Sequence, residues 1–291
     1  MLWVSATVIL VCLVLYFVVS WTIAAVTASV LTVPITRTPV TLSLTYEDVS
    51  FCSRIDNVGL KGWYIPGGDK GTVVVVHGGK QNRADASMKL LELCCDLAGR
   101  GFNVLTFDRR ACGESEVPKA NYRARFERDV GGAYDYIRQR NGQPDRIFLL
   151  GISLGAAAVV VFSAGEDGIN GIVSDSCFAD MREMTQRVLN KVNKILPWFV
   201  AGALWLGKAI YGLQLSSVTD CIKRVTCPIF FIHGEADPDI PATDSVRLFK
   251  VAKNRLSELW VVPGALHGQS YSTAPSPYID KVATFFAGKC A

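Results

Sequence analysis

Residues 146–164 read RIFLLGISLGAAAVVVFSA, and this stretch decides the fold. The run Arg146–Leu150 predicts a buried β-strand, and the run of small and branched residues at Ala156–Ala164 predicts a helix. Between them lies a Gly-x-Ser-x-Gly turn centred on Ser153, whose flanking glycines remove side chains that would clash in a sharp strand-to-helix turn. A serine on such a turn sits at a helix N-terminus, where backbone N–H groups favour negative charge. Ser153 is therefore the candidate nucleophile.

The chain on either side of this stretch alternates between predicted strands and helices. Short runs rich in branched and aromatic residues predict strands at Val40–Thr45, Val49–Ser53, Thr72–Val76, Asn103–Phe107, Gly171–Ser174, Pro228–His233 and Glu258–Val262. Helical patterns occupy Asp85–Gly99, Thr243–Lys253 and Tyr278–Ala287. Such alternation is typical of an α/β fold with a mostly parallel central sheet flanked by helices.

A serine nucleophile needs a base, and the chain has three histidines. Where a Gly-x-Ser-x-Gly turn carries a catalytic triad, the chain order is serine, acid, histidine. His77 precedes Ser153, and His233 ends a predicted strand and precedes every well-placed acid. His267 follows the last predicted strand in a glycine-flanked loop, so it is the predicted base.

The acid is expected in the loop after the predicted strand that ends at His233. Asp237 is the first aspartate of that loop, prolines stiffen the turn near it, and its role would be to orient His267. Glu235 and Asp239 in the same loop remain alternatives. Asp175, which follows an earlier strand, is a further candidate.

An oxyanion hole needs two backbone N–H donors. The sequence predicts one at Leu154, next to the nucleophile, and the other in the loop after Thr72–Val76. Gly79 is the choice in that loop, because glycine lets the backbone approach a substrate closely, and Lys80 is its rival. The structural alternative is an ordinary glycine turn.

These motifs together resemble the α/β-hydrolase superfamily. They are, in chain order, the Asp48–Phe51 and Leu60–Pro66 hairpin, Val76-His77-Gly78-Gly79, Asp108-Arg109…Gly113-Glu114-Ser115, Gly151–Gly155, Cys227-Pro228…His233-Gly234…Asp237…Ile240-Pro241 and His267-Gly268. The chain from Val40 onward is similar to the serine-aminopeptidase-like and prolyl-oligopeptidase-like branch, which includes membrane-anchored members thought to be acyl-thioesterases or esterases. One departure is DRRACG at residues 108–113, where similar proteins usually have Arg-Gly-x-Gly; we interpret that loop as structural and expect no loss of catalysis.

The N-terminus predicts a membrane anchor. Residues 1–36 contain no charged residue, and the apolar run exceeds the roughly 20 residues that cross a bilayer core. We therefore expect a transmembrane anchor and linker start at 1–36 and a hydrolase domain at 37–291. A cleaved signal peptide, with a site near Val26-Thr27-Ala28, is the alternative, although its apolar core would be shorter and preceded by a basic residue. The first basic residue, Arg37, follows the run, which favours a single-pass protein with a cytoplasmic catalytic domain.

One segment interrupts the α/β alternation. Residues 178–226 are too many for a single crossover helix, and Ile195–Leu215 within them is strongly apolar. Lys208 and several glycines disfavour a second membrane span, so we interpret the segment as a helical cap insertion over the nucleophile. Its aromatic residues Trp198, Phe199 and Trp205 are expected to line an acyl pocket or a membrane-facing rim. The alternative is that they cover the sheet as core.

The composition limits the classes of function that the chain can have. The net charge is only +4 and no basic cluster is present, so we expect no nucleic-acid partner. The nine cysteines lack zinc-site spacing and are interpreted mostly as buried apolar residues, and neither a metal nor a cofactor is required. The predicted function is a serine hydrolase cleaving carboxylic esters or thioesters of small acyl or lipid-like molecules. A serine peptidase of the same fold and a catalytically silent binding protein are the alternatives; no acidic cluster is present to hold a peptide amine.

Overall fold

The computed structural model describes residues 2–28, 33–119, 124–141, 146–213 and 217–289. An eight-stranded sheet with the order β1-β2-β4-β3-β5-β6-β7-β8 forms its centre. The strands are β1 Glu47–Cys52, β2 Gly59–Ile65, β3 Thr72–Val76, β4 Asn103–Phe107, β5 Ile147–Ile152, β6 Gly171–Asp175, β7 Ile229–Gly234 and β8 Glu258–Val262. β2 pairs antiparallel with β1 and with β4, and every other pairing is parallel. The predicted mostly parallel sheet is confirmed.

Helices cover both faces of this sheet. They are α1 Leu2–Thr27, α2 Leu90–Gly99, α3 Phe126–Asn141, α4 Leu154–Ser163, α5 Met181–Val192, α6 Val200–Tyr211, α7 Val218–Ile222, α8 Thr243–Val251, α9 Ser270–Thr273 and α10 Pro275–Lys289. Alternate valines of β3 point to opposite faces. Val74 and Val76 pack with α3 and α4, whereas Val73 and Val75 pack with α2 and α10. Burial on both faces explains why the parallel strands read as continuous apolar runs.

Two predicted elements differ from the structure near the N-terminal edge of the fold. The predicted strand Val40–Thr45 is wrong, because Pro39–Leu42 forms a 3-10 turn that ends at Ser43 with a φ of 57°. Helix α2 begins at Leu90 instead of Asp85. Lys89 has a left-handed φ of 50°, and the Asp85 carboxylate accepts the Met88 N–H at 2.9 Å, so the preceding residues form turns.

The insertion between β6 and β7 contains α5, a 3-10 turn at Leu196–Phe199, α6 and α7. Residues 214–216, at the end of the apolar run, lie outside the described residues. Helix α6 packs along the C-terminal half of α1, where Ser20, Ile23 and Ala24 are buried. In the described part of the chain, Trp3–Thr27 is the one helix long and apolar enough to cross a membrane, and an N-terminal signal sequence passes the same test.

Candidate active site

Ser153 occupies the sharp turn between β5 and α4, as the sequence predicts. Its φ of 54° and ψ of −117° lie in a region that residues with a side chain rarely adopt, at a cost on the order of 1–3 kcal/mol. The turn is possible because Gly151 and Gly155 leave no room for a Cβ. A Cβ on Gly155 would lie 2.2 Å from the Val76 carbonyl oxygen, and one on Gly151 would lie 2.6 Å from Ala156 Cα. The serine hydroxyl is thereby held, half-exposed, at the start of α4.

The structure brings Ser153, His267 and Asp237 together. The Ser153 Oγ lies 2.8 Å from His267 Nε2, and the His267 Nδ1 lies 2.7 Å from Asp237 Oδ2. Because a carboxylate only accepts hydrogen bonds, the neutral imidazole carries its proton on Nδ1 and leaves Nε2 free to accept the serine proton. This is the arrangement that a serine–histidine–aspartate triad requires.

The Asp237 carboxylate is buried and surrounded by donors. Its Oδ1 accepts the N–H groups of Asp239 at 2.8 Å and Ile240 at 2.9 Å. His233 Nε2 lies 3.3 Å from Oδ2. That nitrogen carries a proton, because it also lies 2.9 Å from the Ile240 carbonyl oxygen, which can only accept. Asp237 is therefore fixed from four directions.

The pKa of Asp237 is lowered and that of His267 is raised, so both side chains are charged once the histidine takes a proton. Burial acts to raise the pKa of Asp237, but hydrogen bonds from His233, His267 and the Ile240 N–H bring it below its usual range. Burial likewise acts to lower the pKa of His267, and the hydrogen bond and charge of Asp237 raise it above the ordinary value of 6.5. His267 is thereby a stronger base than a free imidazole.

The other candidate acids lie elsewhere. Glu235 accepts the Gly264 N–H at 3.3 Å, and Asp239 forms an exposed ion pair with Lys191 at 2.7 Å. Asp175 is buried at the end of β6, where its Oδ1 accepts the hydroxyls of Ser176 and Ser270, each at 2.9 Å. Both ring nitrogens of His267 already have other partners.

Asp175 nevertheless supports the site indirectly. The Ser176 hydroxyl, which donates to Asp175, accepts the Gly268 N–H at 3.1 Å. This chain of hydrogen bonds ties the loop that carries His267 to the end of β6. Burial raises the pKa of Asp175.

The loop after β3 is held by a buried arginine. Arg109 Nε donates to the His77 carbonyl at 3.1 Å, and its Nη2 donates to the Gly78 carbonyl at 2.6 Å. His77 Nε2 accepts the Arg109 N–H at 3.1 Å, so His77 Nδ1 carries the proton and donates to the Gly78 carbonyl at 2.8 Å. Two donors thus fix the Gly78 carbonyl on one side of the loop.

This anchoring determines where the Gly79 N–H points. In a trans peptide the carbonyl of one residue and the N–H of the next point in opposite directions. The Gly78–Gly79 peptide is trans, so the Gly79 N–H points away from the groups that hold the Gly78 carbonyl. Leu154 opens α4, and its N–H is one of the helix N-terminal donors that lack an intrahelical partner. Gly79, Lys80 and Leu154 all line one cavity.

That cavity of about 190 Å³ lies between the candidate oxyanion residues, the cap and α1. Its walls include Met181 and Met184 of α5, Ala203 and Leu204 of α6, and Ile23 and Ala24 of α1. Trp198 and Trp205 do not line it; they are 80% and 61% exposed. Phe199 stacks on Tyr16 of α1, with ring centroids 5.3 Å apart. Among the described residues, no group of histidine, cysteine, aspartate and glutamate side chains is placed to hold a metal ion.

Sequence reasoning missed two contributors to this site. Arg109 belongs to the DRRACG departure, which the sequence presented as a structural loop, although the arginine holds the candidate oxyanion loop. The sequence sets His233 aside as a base because it ends a predicted strand, although in the structure it donates toward the candidate acid. In both cases the sequence signal that could have indicated a role in the site is a polar residue at or just after the end of a buried strand.

Comparisons with known proteins agree with this architecture. The serine aminopeptidase S33 family matches residues 67–212. The uncharacterized protein Rv2307c of Mycobacterium tuberculosis is 33% identical over 233 residues, which are 79% of this chain and 75% of the relative. The lysophosphatidylserine lipase ABHD12 of Xenopus tropicalis is 23% identical over 62% of this chain and 46% of its own length.

Among solved structures, the esterase PF2001 of Pyrococcus furiosus is 25% identical, with a TM-score of 0.76 over 89% of this chain and 97% of the esterase. The predicted α/β-hydrolase fold is thereby confirmed. Because the family match covers just over half of the chain, the chain belongs to the serine aminopeptidase S33 family of α/β-hydrolases.

Proposed function

We propose that the chain is a serine hydrolase that cleaves carboxylic ester or thioester bonds of small acyl or lipid-like substrates. The observation that carries the proposal is the hydrogen-bonded series Ser153–His267–Asp237 beside an apolar cavity that Gly79 and Leu154 border. The esterase named above has this fold and the lipase is similar in sequence, and their names support ester chemistry for this chain.

The proposed mechanism is acyl transfer. His267 Nε2 takes the Ser153 hydroxyl proton as Oγ attacks the substrate carbonyl carbon, and Asp237 stabilises the imidazolium. The oxyanion accepts hydrogen bonds from the Gly79 and Leu154 N–H groups. The leaving alcohol or thiol departs with the proton from His267. Water, deprotonated by the same histidine, then hydrolyses the acyl-enzyme and releases the acid.

A peptidase is the second candidate, because the family description names an aminopeptidase. An aminopeptidase must bind a charged amine, and a buried carboxylate is the usual partner for such a group. No aspartate or glutamate is among the described residues that line the cavity. The lining includes Lys80, Arg109 and Arg110, and it thus disfavours the positively charged N-terminus of a peptide. A catalytically silent binding protein would have no need of the Ser153–His267 hydrogen bond.

A fluorophosphonate probe tests the proposal directly. The wild-type protein is expected to be labelled, and Ser153→Ala is expected to lose labelling and ester turnover by orders of magnitude. Ser163→Ala is the matched control, because that serine lies on α4 and donates only to the Val159 carbonyl. Equal labelling of the wild type and a folded Ser153→Ala variant would refute the assignment.

The N-terminal segment 1–36 is proposed as a single-pass membrane anchor ahead of a hydrolase domain at 37–291, with a cap at about 178–226. Most large side chains of the first half of α1 are exposed and apolar, so they need a bilayer around them. The packing of Ser20 and Ile23 inside the fold supports a retained helix over a cleaved signal peptide. We propose a cytoplasmic catalytic domain. Labelling of the exposed Cys52 from only the outer side of sealed vesicles would overturn that orientation.

A further inference from the structure

One wall of the cavity comes from the C-terminal end of α1, the segment that composition identifies only as an anchor. Ile23, Ala24, Thr27 and Ala28 all line it, and Gly79 and Leu154 line the same cavity. Ala24 is 4% exposed, and its small side chain leaves room in the cavity. An acyl chain that is attacked at Ser153 and enters this cavity beside Leu154 can therefore reach α1.

Helix α1 is fixed in this position by specific contacts with the cap. A Cβ on Gly202 would lie 2.5 Å from Ser20 Oγ, so the two helices approach closely because residue 202 is glycine. The Gly202 N–H, in the first turn of α6, donates to the Tyr16 hydroxyl at 3.2 Å. The Ser20 hydroxyl donates to the Phe199 carbonyl at 3.4 Å. Close approach of small residues with polar contacts across it is how helices associate in a bilayer.

The same contacts place the start of α6 well along α1. Tyr16 and Thr27 are 11 positions apart on one helix, which is about 17 Å along its axis at 1.5 Å per residue. The cap residues that contact Tyr16 therefore lie beside the middle of α1. Trp198 and Trp205 expose large apolar surfaces on this part of the cap, and such surfaces mark contact with a membrane or a partner.

We infer that the C-terminal turns of α1 form the end of the acyl-chain site and that Ala24 limits the length of the chain. The inference rests on the proposed function, since it concerns an acyl group bound to Ser153. The substrate class is an ester or thioester with an unbranched acyl chain of medium or long length. Burial of each CH2 group in an apolar site raises kcat/KM about fourfold, up to the length that the cavity accepts.

The test compares Ala24→Phe with Val26→Phe in the full chain, using p-nitrophenyl esters from acetate to palmitate. Val26 is on the same helical turn, 57% exposed and outside the cavity lining, so it is the matched control. If phenylalanine at position 24 displaces three CH2 groups, kcat/KM for decanoate falls by about fiftyfold, while acetate turnover changes less than about twofold. Leu204→Ala enlarges the same cavity and shifts the preferred ester to a longer chain.

The outcomes separate this inference from the proposed function. A wild-type protein that hydrolyses no ester and is not labelled at Ser153 refutes the function. A wild-type protein that hydrolyses acetate, with Ala24→Phe retaining the wild-type chain-length profile, refutes only the role of α1. Loss of acetate and decanoate turnover in equal proportion also refutes it. Fatty-acid release from phospholipid vesicles would identify bilayer lipids as the source of the chain, and turnover of dispersed esters alone would identify monomeric substrates.

Discussion

Replacement of Asp237 by asparagine tests the carboxylate that is surrounded by hydrogen-bond donors in the candidate site. The wild-type carboxylate accepts two backbone N–H groups on Oδ1 and the His267 Nδ1–H on Oδ2, with the His233 Nε2–H 3.3 Å away. Asparagine has one acceptor oxygen and one NH2 group. If the oxygen keeps the backbone N–H groups, the NH2 group faces both histidine rings.

The energetic cost follows from this mismatch. His267 can accept from the asparagine NH2 only by moving its proton to Nε2, and it then cannot take the Ser153 proton. We expect kcat to fall by about 10⁴, as for the corresponding change in a well-studied triad. At 1.36 kcal/mol per factor of ten, this is about 5 kcal/mol of transition-state stabilisation. The His233 Nε2–H also faces a donor, so stability should fall by about 1–3 kcal/mol.

The pH profile gives a second, independent readout. The candidate base works only when neutral, and Asp237 raises the pKa of His267 above 6.5. Wild-type kcat/KM should therefore rise with pH through a midpoint above 6.5. In Asp237→Asn the hydrogen bond to a charged carboxylate is lost, so the midpoint of the residual activity should move to lower pH.

Asp239→Asn is the matched control for this experiment. Asp239 is two residues away, exposed, and paired with Lys191, and exposed ion pairs contribute about 0–1 kcal/mol. We expect kcat within about twofold of the wild type. Steady-state kinetics on a short-chain ester, with thermal unfolding to verify folding, decides the matter. If Asp239→Asn lost activity and Asp237→Asn retained it, the reasoning about the acid would be refuted.

Two further variants test the geometry around the nucleophile. Ser153→Gly should unfold at a temperature about 2 °C higher than Ser153→Ala. Residue 153 has a φ of 54°, which strains a residue with a Cβ by about 1 kcal/mol, and glycine relieves that strain. An equal or lower unfolding midpoint for Ser153→Gly would contradict the strain. Arg109→Lys should lower kcat about tenfold or more with little change in KM. The lysine cannot bind the His77 and Gly78 carbonyls at the same time, so the Gly79 N–H loses its orientation. Unchanged kcat in a folded Arg109→Lys protein would show that the arginine is only structural.

The parts of the fold that the sequence predicts well are those in which one physical signal dominates. Thr72–Val76, Asn103–Phe107 and Glu258–Val262 are predicted with the bounds that the structure has, because the central strands are short apolar runs between turn residues. Val40–Thr45 was misassigned since its alternation is weak. Pro39 lies at the start of the helical turn that occupies this segment, and proline favours such a position.

Within the candidate site, chain order is the informative signal. Only one histidine follows the glycine turn in the required place, so Ser153, Asp237 and His267 could be selected before any geometry was known. Their catalytic roles stay a prediction. The contribution of Arg109 could not be foreseen, because it depends on which carbonyls a buried guanidinium reaches across two strands.

The contact between α1 and the cap shows why a long apolar helix can be predicted from the sequence while the residues it packs against cannot. Helix α1 is apolar on every side, so no periodicity reveals the face that packs. That face is defined by Tyr16 and Ser20, polar residues in an apolar helix, and by Gly202, which lies 182 positions beyond Ser20. Small and polar residues indicate a helix-packing face only when their partners on the other helix are known. A boundary at residue 37 stays a prediction, and a chain cut there would leave the cavity without the wall that Ile23 and Ala24 provide.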